Sequence, residues 1–174
     1  MQFLIIPFLL IVVFLLLFVI LIFLVLSFDI FLELPYVATE HKKIETIIKL
    51  AAIKKGETAI DLGSGDGRLL LAAAQKGAIA VGYEVNPFLI AITLIHAKLK
   101  GLSENISVYK QNLWNADLKT ADVIFVYGRQ KNMERFENYV FRNSNKKTRV
   151  VVNTNPFPGK KPHKEENGIF LYLT

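Results

Sequence analysis

The segment Asp61-Leu62-Gly63-Ser64-Gly65-Asp66-Gly67-Arg68 sets three alternating glycines among two carboxylates. Glycines at this density let a backbone turn tightly and let a ligand lie against it with no Cβ in the way. The spacing Gly-x-Gly-x-Gly differs from the Gly-x-Gly-x-x-Gly fingerprint of dinucleotide-binding folds. Twenty-one positions after Gly63 stands Glu84, within Val81-Gly82-Tyr83-Glu84-Val85-Asn86. A carboxylate at that remove can accept hydrogen bonds from both hydroxyls of a ribose. Further on, Asn112-Leu113-Trp114 offers an amide and two apolar side chains to a nucleobase, with Asn112 toward its exocyclic amine.

Charge narrows the ligand. A pyrophosphate at a helix N-terminus wants amide donors and no nearby carboxylate, yet Asp61 is read at the end of a strand and Asp66 at the opening of a helix. Two carboxylates suit a cation better than a diphosphate. S-adenosylmethionine carries a sulfonium and an ammonium and no phosphate, so it fits this loop.

The elements that must position these residues follow from periodicity. Glu57–Leu62 reads as a buried strand, Arg68–Gln75 as a helix closed by Gly77, and Ala78–Tyr83 as a second strand. Asn86-Pro87 supplies a cap and a first-turn proline for a helix running to Lys100. Ile106–Lys110, Ala121–Tyr127 and Thr148–Thr154 are read as strands, Asn132–Asn143 as a helix, and Gly168–Leu173 as a last, edge-like strand. Pro156–Asn167 is read as a polar, proline-bearing loop. Alternating strands and helices imply a doubly wound, mostly parallel α/β sheet. The loops at its carboxyl edge are where a ligand binds.

Upstream, Thr39 is expected to cap a helix carrying Ile44, Ile47, Ile48 and Ala51 on one face. Leu34–Ala38 is read as an extended linker. Phe3–Leu26 contains no charged side chain and is long enough, at 1.5 Å per residue, to cross a hydrocarbon core of about 30 Å. It is read as a retained single-pass anchor, because it lacks the basic leader and small-residue cleavage site of a secretory signal. All 21 Lys and Arg follow that segment, which sets the body on the cytosolic side of a bacterial inner membrane or a mitochondrial-type inner membrane. The expected division is an anchor over 1–32, a linker and amphipathic helix over 33–55, and a catalytic domain over 56–174.

The 174 residues contain no cysteine, which excludes disulfides, thiolate nucleophiles and thiolate metal sites. His41, His96 and His163 lack ligand spacing, so no metal is expected. No basic stripe with interleaved aromatics marks a nucleic-acid surface, and no nucleic acid is expected as a partner. Asn86-Pro87-Phe88 is read as a helix cap, and Asn155-Pro156-Phe157 as a strand exit on the active-site side.

The block Ala59–Arg68, with Gly82-Tyr83-Glu84-Val85-Asn86-Pro87 and Asn112-Leu113-Trp114, resembles the class I, seven-β-strand methyltransferases. An apolar N-terminal segment followed by Pro35-Tyr36-Val37-Ala38-Thr39 is similar to the membrane-anchored protein-lysine methyltransferases. Mitochondrial members of that family modify lysines of the adenine nucleotide translocase and of the c-ring protein of ATP synthase. The resemblance implies S-adenosylmethionine as cofactor, held by Asp61, Gly63, Ser64, Gly65, Asp66 and Gly67 around its methionine end, Glu84 on the ribose, and Asn112 and Leu113 near the adenine. Asn112 stands where many relatives have Asp, and Ala38 where a second proline is common. The short C-terminal end implies an abbreviated closing hairpin.

The activity so implied is protein-lysine N-methylation, with a membrane protein bearing an accessible lysine as substrate. Methylation of a lipid or quinone-like molecule, or a non-catalytic cofactor-binding adaptor, are the alternatives. No side chain stands out as a general base. Tyr127 and Asn153, at strand ends facing the site, are the catalytic candidates.

Overall fold

The computed structural model describes residues 2–31 and 39–174. The expected linker Leu34–Ala38, including Pro35-Tyr36-Val37-Ala38, lies outside them. The chain forms two compact units, residues 1–36 and 37–174.

In the first unit, α1 (Gln2–Phe31) is continuous through Pro7, which stands near its start, where a missing N–H costs least. Within it, Ile5–Phe23 is long and apolar enough to cross a membrane, and none of that stretch is buried.

The second unit is one seven-stranded sheet. Its strands are β1 (Thr58–Leu62), β2 (Ile79–Glu84), β3 (Ile106–Lys110), β4 (Val123–Tyr127), β5 (Arg149–Asn153), β6 (Lys164–Glu166) and β7 (Ile169–Leu173). The order is β3-β2-β1-β4-β5-β7-β6, parallel from β3 to β5 and antiparallel where β7 meets β5 and β6. The chain reverses its direction of travel across the sheet between β1 and β4, so their carboxyl ends border the crevice in which such folds bind ligands. β1 and β4 are almost wholly buried runs, as strands covered on both faces must be.

Helix α3 (Arg68–Gln75) packs Leu69, Leu70, Ala73 and Ala74 onto the sheet. Helix α2 (His41–Ala51) adds Ile44, Ile47, Ile48 and Ala51 to the same core. Helices α4 (Pro87–Leu99) and α5 (Met133–Asn143) complete the layers. Arg149 binds the C-terminal end of α2 to the sheet: its guanidinium donates to the carbonyls of Ala51 and Ala52, each at 2.7 Å, and pairs with Glu57 at 2.5 Å.

Three expectations fail here. The last strand is not at the edge: β7 lies between β5 and β6, and Ile169, Phe170, Leu171 and Tyr172 are all buried. The polar stretch read wholly as loop contributes β6, joined to β7 by Asn167-Gly168. Both turn residues have positive φ, 53° and 69°, the conformation a two-residue hairpin turn demands. The closing hairpin is therefore present, though its outer strand is only three residues long. Thr39 does not cap α2 either. Glu40 holds that position without a side-chain bond, while the buried Thr39 hydroxyl lies 3.5 Å from Asn153 Nδ2.

Candidate active site

The loop between β1 and α3 is latched to the end of β2 by its own backbone. The Tyr83 carbonyl accepts from the N–H groups of Gly63 (3.0 Å) and Ser64 (3.1 Å), and Gly67 N–H donates to Ser64 O (2.9 Å). Gly65 N–H donates to Glu84 Oε2 at 2.9 Å. The other carboxylate oxygen, Oε1, accepts from Val85 N–H at 2.8 Å and Asn86 N–H at 2.9 Å. Four loop amides are thus consumed internally, so the loop is no cradle for a phosphate, which needs free N–H donors.

Glycine is obligatory at Gly67. Its φ is +77°, and a Cβ there would sit 2.3 Å from Thr93 Cγ2. Thr93 is fully buried, with its hydroxyl 3.0 Å from Leu89 O and 3.2 Å from Gly65 O, so it cannot yield. Gly67→Ala combines a left-handed penalty of about 1–2 kcal/mol with overpacking of similar size. A fall of about 2–4 kcal/mol in urea-unfolding stability is the expected outcome.

Charge is distributed differently from the expectation. Asp66 does not open α3, which starts at Arg68 behind a Gly67 cap. Its carboxylate is instead clasped by the Arg68 guanidinium, Nε at 2.9 Å and Nη2 at 2.6 Å. Arg68 Nη1 in turn donates to the Thr39 carbonyl at 2.6 Å. Asp61 and Glu84 are the buried carboxylates beside the loop. Burial, reinforced by the Glu84 and Asp66 charges, raises the pKa of Asp61 to about 7. A cationic ligand beside Asp61 would relieve that strain, and an anionic one would worsen it.

Glu84 has about four acceptor sites, three of which serve backbone amides. One remains, on Oε2. At the end of β3, Asn112 is exposed and its side-chain oxygen accepts from Trp114 N–H at 3.1 Å, capping a single 3-10 turn over Leu113–Asn115. Leu113 is buried against the loop, its Cδ2 3.6 Å from where a Cβ on Gly63 would stand. Trp114 packs on Phe136 and Tyr139, with Arg135 4.0 Å above its ring.

Tyr127 and Asn153 are register partners on adjacent strands, side by side at the carboxyl edge. Asn153 is buried, with its oxygen accepting from the Thr154 hydroxyl at 2.9 Å. The half-buried Tyr127 makes no side-chain hydrogen bond among the described residues. Buried polar atoms nearly always find partners. Among the described residues the exceptions are Ser64 Oγ and Asn132 Nδ2, which belong to the segments following β1 and β4, the two strands bordering the crevice.

The second Asn-Pro-Phe segment is structural. Asn155 Nδ2 donates to Gly128 O at 2.8 Å, and Phe157 is buried against Tyr172. The first is the helix cap expected, with Asn86 Oδ1 accepting from Phe88 N–H at 2.9 Å. Sequence reasoning missed Thr39, Arg68 and Thr93 as parts of the site's frame. Their bonds span 28 or more positions along the chain, and no local pattern announces them.

Residues 61–164 match the sequence profile of the ANTKMT methyltransferase domain. The human lysine N-methyltransferase of the ATP synthase c-ring protein is 34% identical over 125 residues, covering 72% of this chain and 53% of the relative. The mouse adenine nucleotide translocase lysine N-methyltransferase is 32% identical over 132 residues, 75% of this chain and 57% of the relative. The chain thus spans a little over half the length of these curated relatives. Among solved structures, an RNA methyltransferase from Salinibacter ruber in complex with S-adenosyl-L-homocysteine superposes with a TM-score of 0.74 at 25% identity, over 79% of this chain and 93% of that one. With the order β3-β2-β1-β4-β5-β7-β6, the carboxylate-rimmed loop and this match across the whole crevice-forming region, the chain belongs to the ANTKMT methyltransferase domain family.

Proposed function

We propose that this chain is an S-adenosylmethionine-dependent protein-lysine N-methyltransferase. In this reading residues 1–32 hold it to a membrane, the catalytic unit lies on the cytosolic side, and a lysine of a membrane protein is the acceptor. The observation that carries the cofactor is the loop whose amides are already spent while Asp61 and Glu84 give the crevice negative charge. The lysine methyltransferases among the relatives support the acceptor, and the apolar α1 supports the membrane.

In this reading Asp61, with the loop from Gly63 to Gly67, holds the methionine end of the cofactor. Glu84 takes a ribose hydroxyl, and Leu113 with Asn112 borders the adenine. The cofactor supplies a methyl group on a sulfonium, an electrophile that needs no covalent help from the protein. The chain's task is alignment and exclusion of water. A lysine acceptor, with an ordinary pKa near 10.4, must lose its proton before attack, and a water-poor site favours its neutral form. Tyr127 is the side chain best situated to orient that amine, because its hydroxyl is uncommitted among the described residues. Tyr127→Phe is expected to leave the melting temperature and cofactor affinity unchanged while slowing methyl transfer at least about tenfold.

The test of the function is mass spectrometry of membrane proteins from cells with and without this chain, paired with labelled cofactor in isolated membranes. A protein lysine that loses methyl groups when the chain is absent is the expected result. Label appearing only in the organic extract would refute a protein substrate.

A further inference from the structure

We propose that the outer face of α4 is a bilayer-docking surface, on which Phe88, Ile92, Ile95 and Leu99 enter the headgroup–acyl boundary of an anionic membrane. This rests on the reading that the chain is membrane-held, and it adds where the catalytic unit touches that membrane.

The four residues recur at helical spacing and fall within an arc of about 60° at 100° per residue. They are 56%, 39%, 57% and 78% exposed. A surface helix of a solvated protein turns its polar residues outward. Here the fully buried positions of α4 are the small Thr93 and Ala97, Leu89 and Ile90 are half-buried, and Phe88, Ile92, Ile95 and Leu99 are exposed. No acidic residue occurs in Pro87–Leu99, while His96 and Lys98 flank the stripe and Lys100 follows it. An apolar stripe bordered by basic side chains is the pattern of a helix lying in a membrane interface, with each lysine near an anionic leaflet adding to the attraction. A bilayer is favoured over a protein partner because the same chain carries α1, with an apolar stretch long enough to span one.

The consequence concerns the active site. α4 begins three residues after Glu84, and its cap, Asn86, donates its N–H to that carboxylate. Docking α4 would bring the mouth of the crevice to the membrane surface, where a lysine at the edge of a membrane protein lies.

The chain has no cysteine, so single-cysteine labelling reads the contact directly. The full chain is reconstituted into phosphatidylcholine–phosphatidylglycerol vesicles with an environment-sensitive fluorophore on Ile95→Cys or Leu99→Cys. References are Val13→Cys on α1 and Lys146→Cys on the exposed turn before β5. Spin-labelled lipids are expected to quench the Ile95 and Leu99 labels at least about twofold more than the Lys146 label. Quenching at Val13 with none at Ile95 or Leu99, and full access of iodide to both, overturns the docking while leaving the anchor intact. Labels at Ile95 and Leu99 shielded from both quenchers mean a protein covers the face, which also overturns it. No lipid quenching at Val13 removes the anchor reading itself, and the docking with it.

Discussion

Asp61→Asn is expected to make the ligand-free protein more stable at pH 8 and a poorer binder of S-adenosylmethionine. Both effects come from one buried carboxyl group. With a pKa raised from 3.8 to about 7, the folded state retains a proton between those values that the unfolded chain has lost. Wild-type stability therefore falls as pH rises through that window and stays low above it, by up to 1.36 kcal/mol per pH unit, roughly 4 kcal/mol in all. The asparagine variant carries no such charge, so the gap between variant and wild type opens from about pH 4 to pH 7 and is then constant. Denaturant unfolding of both proteins at several pH values measures it.

The ligand reverses the preference. A sulfonium or ammonium beside Asp61 favours the ionised carboxylate, so wild-type affinity should rise with pH, by about fivefold from pH 6 to pH 7 and about tenfold from pH 6 to pH 8. In the variant that slope flattens, and affinity at pH 8 falls about ten- to a hundredfold, the worth of a hydrogen bond to a charged group. A variant that binds as well as wild type would remove Asp61 from the site.

Glu84→Ala should do the opposite to stability. Three amides lose their acceptor at once, those of Gly65, Val85 and Asn86. Leaving buried donors unsatisfied costs about 1–3 kcal/mol each. Allowing for relaxation toward water, a loss of about 2–5 kcal/mol is expected. Cofactor affinity should fall more than about a hundredfold, because the β1–α3 loop is released as well as the ribose contact. Glu84→Gln retains one carbonyl oxygen but turns an amide donor toward N–H groups, so it should recover only part of either loss. Asp61 and Glu84 stand only one loop apart, yet neutralising one stabilises the empty protein while truncating the other destabilises it.

The site was legible in sequence where local rules determine local geometry. A helix over Arg68–Gln75 and a strand over Ile106–Lys110 follow from periodicity and glycine stops, and both occur within those limits. The topology put the loop of Asp61–Arg68 and the end of β2 side by side, as an open α/β sheet must. What escaped was of two kinds. β6 reads Lys-Glu-Glu, a polar edge strand with no hydrophobic alternation to betray it, although Asn167-Gly168 is itself a hairpin signal. The other kind depends on contacts between distant residues. The Gly65 amide held by Glu84, the Thr39 carbonyl held by Arg68 and the Thr93 hydroxyl set against Gly65 O emerge only when the chain folds. They set the frame of the site, in which Asp61 and Glu84 stand as the buried carboxylates.

The proposed ligand of this crevice is a positively charged nucleoside and not a diphosphate. Isothermal titration calorimetry of the purified full chain at pH 8 tests it most directly, with S-adenosylmethionine in one series and a nicotinamide dinucleotide in the other. Saturable, one-to-one binding of the sulfonium nucleoside and no heat from the dinucleotide is the expected result. Binding of the dinucleotide, with silence toward S-adenosylmethionine, would contradict it.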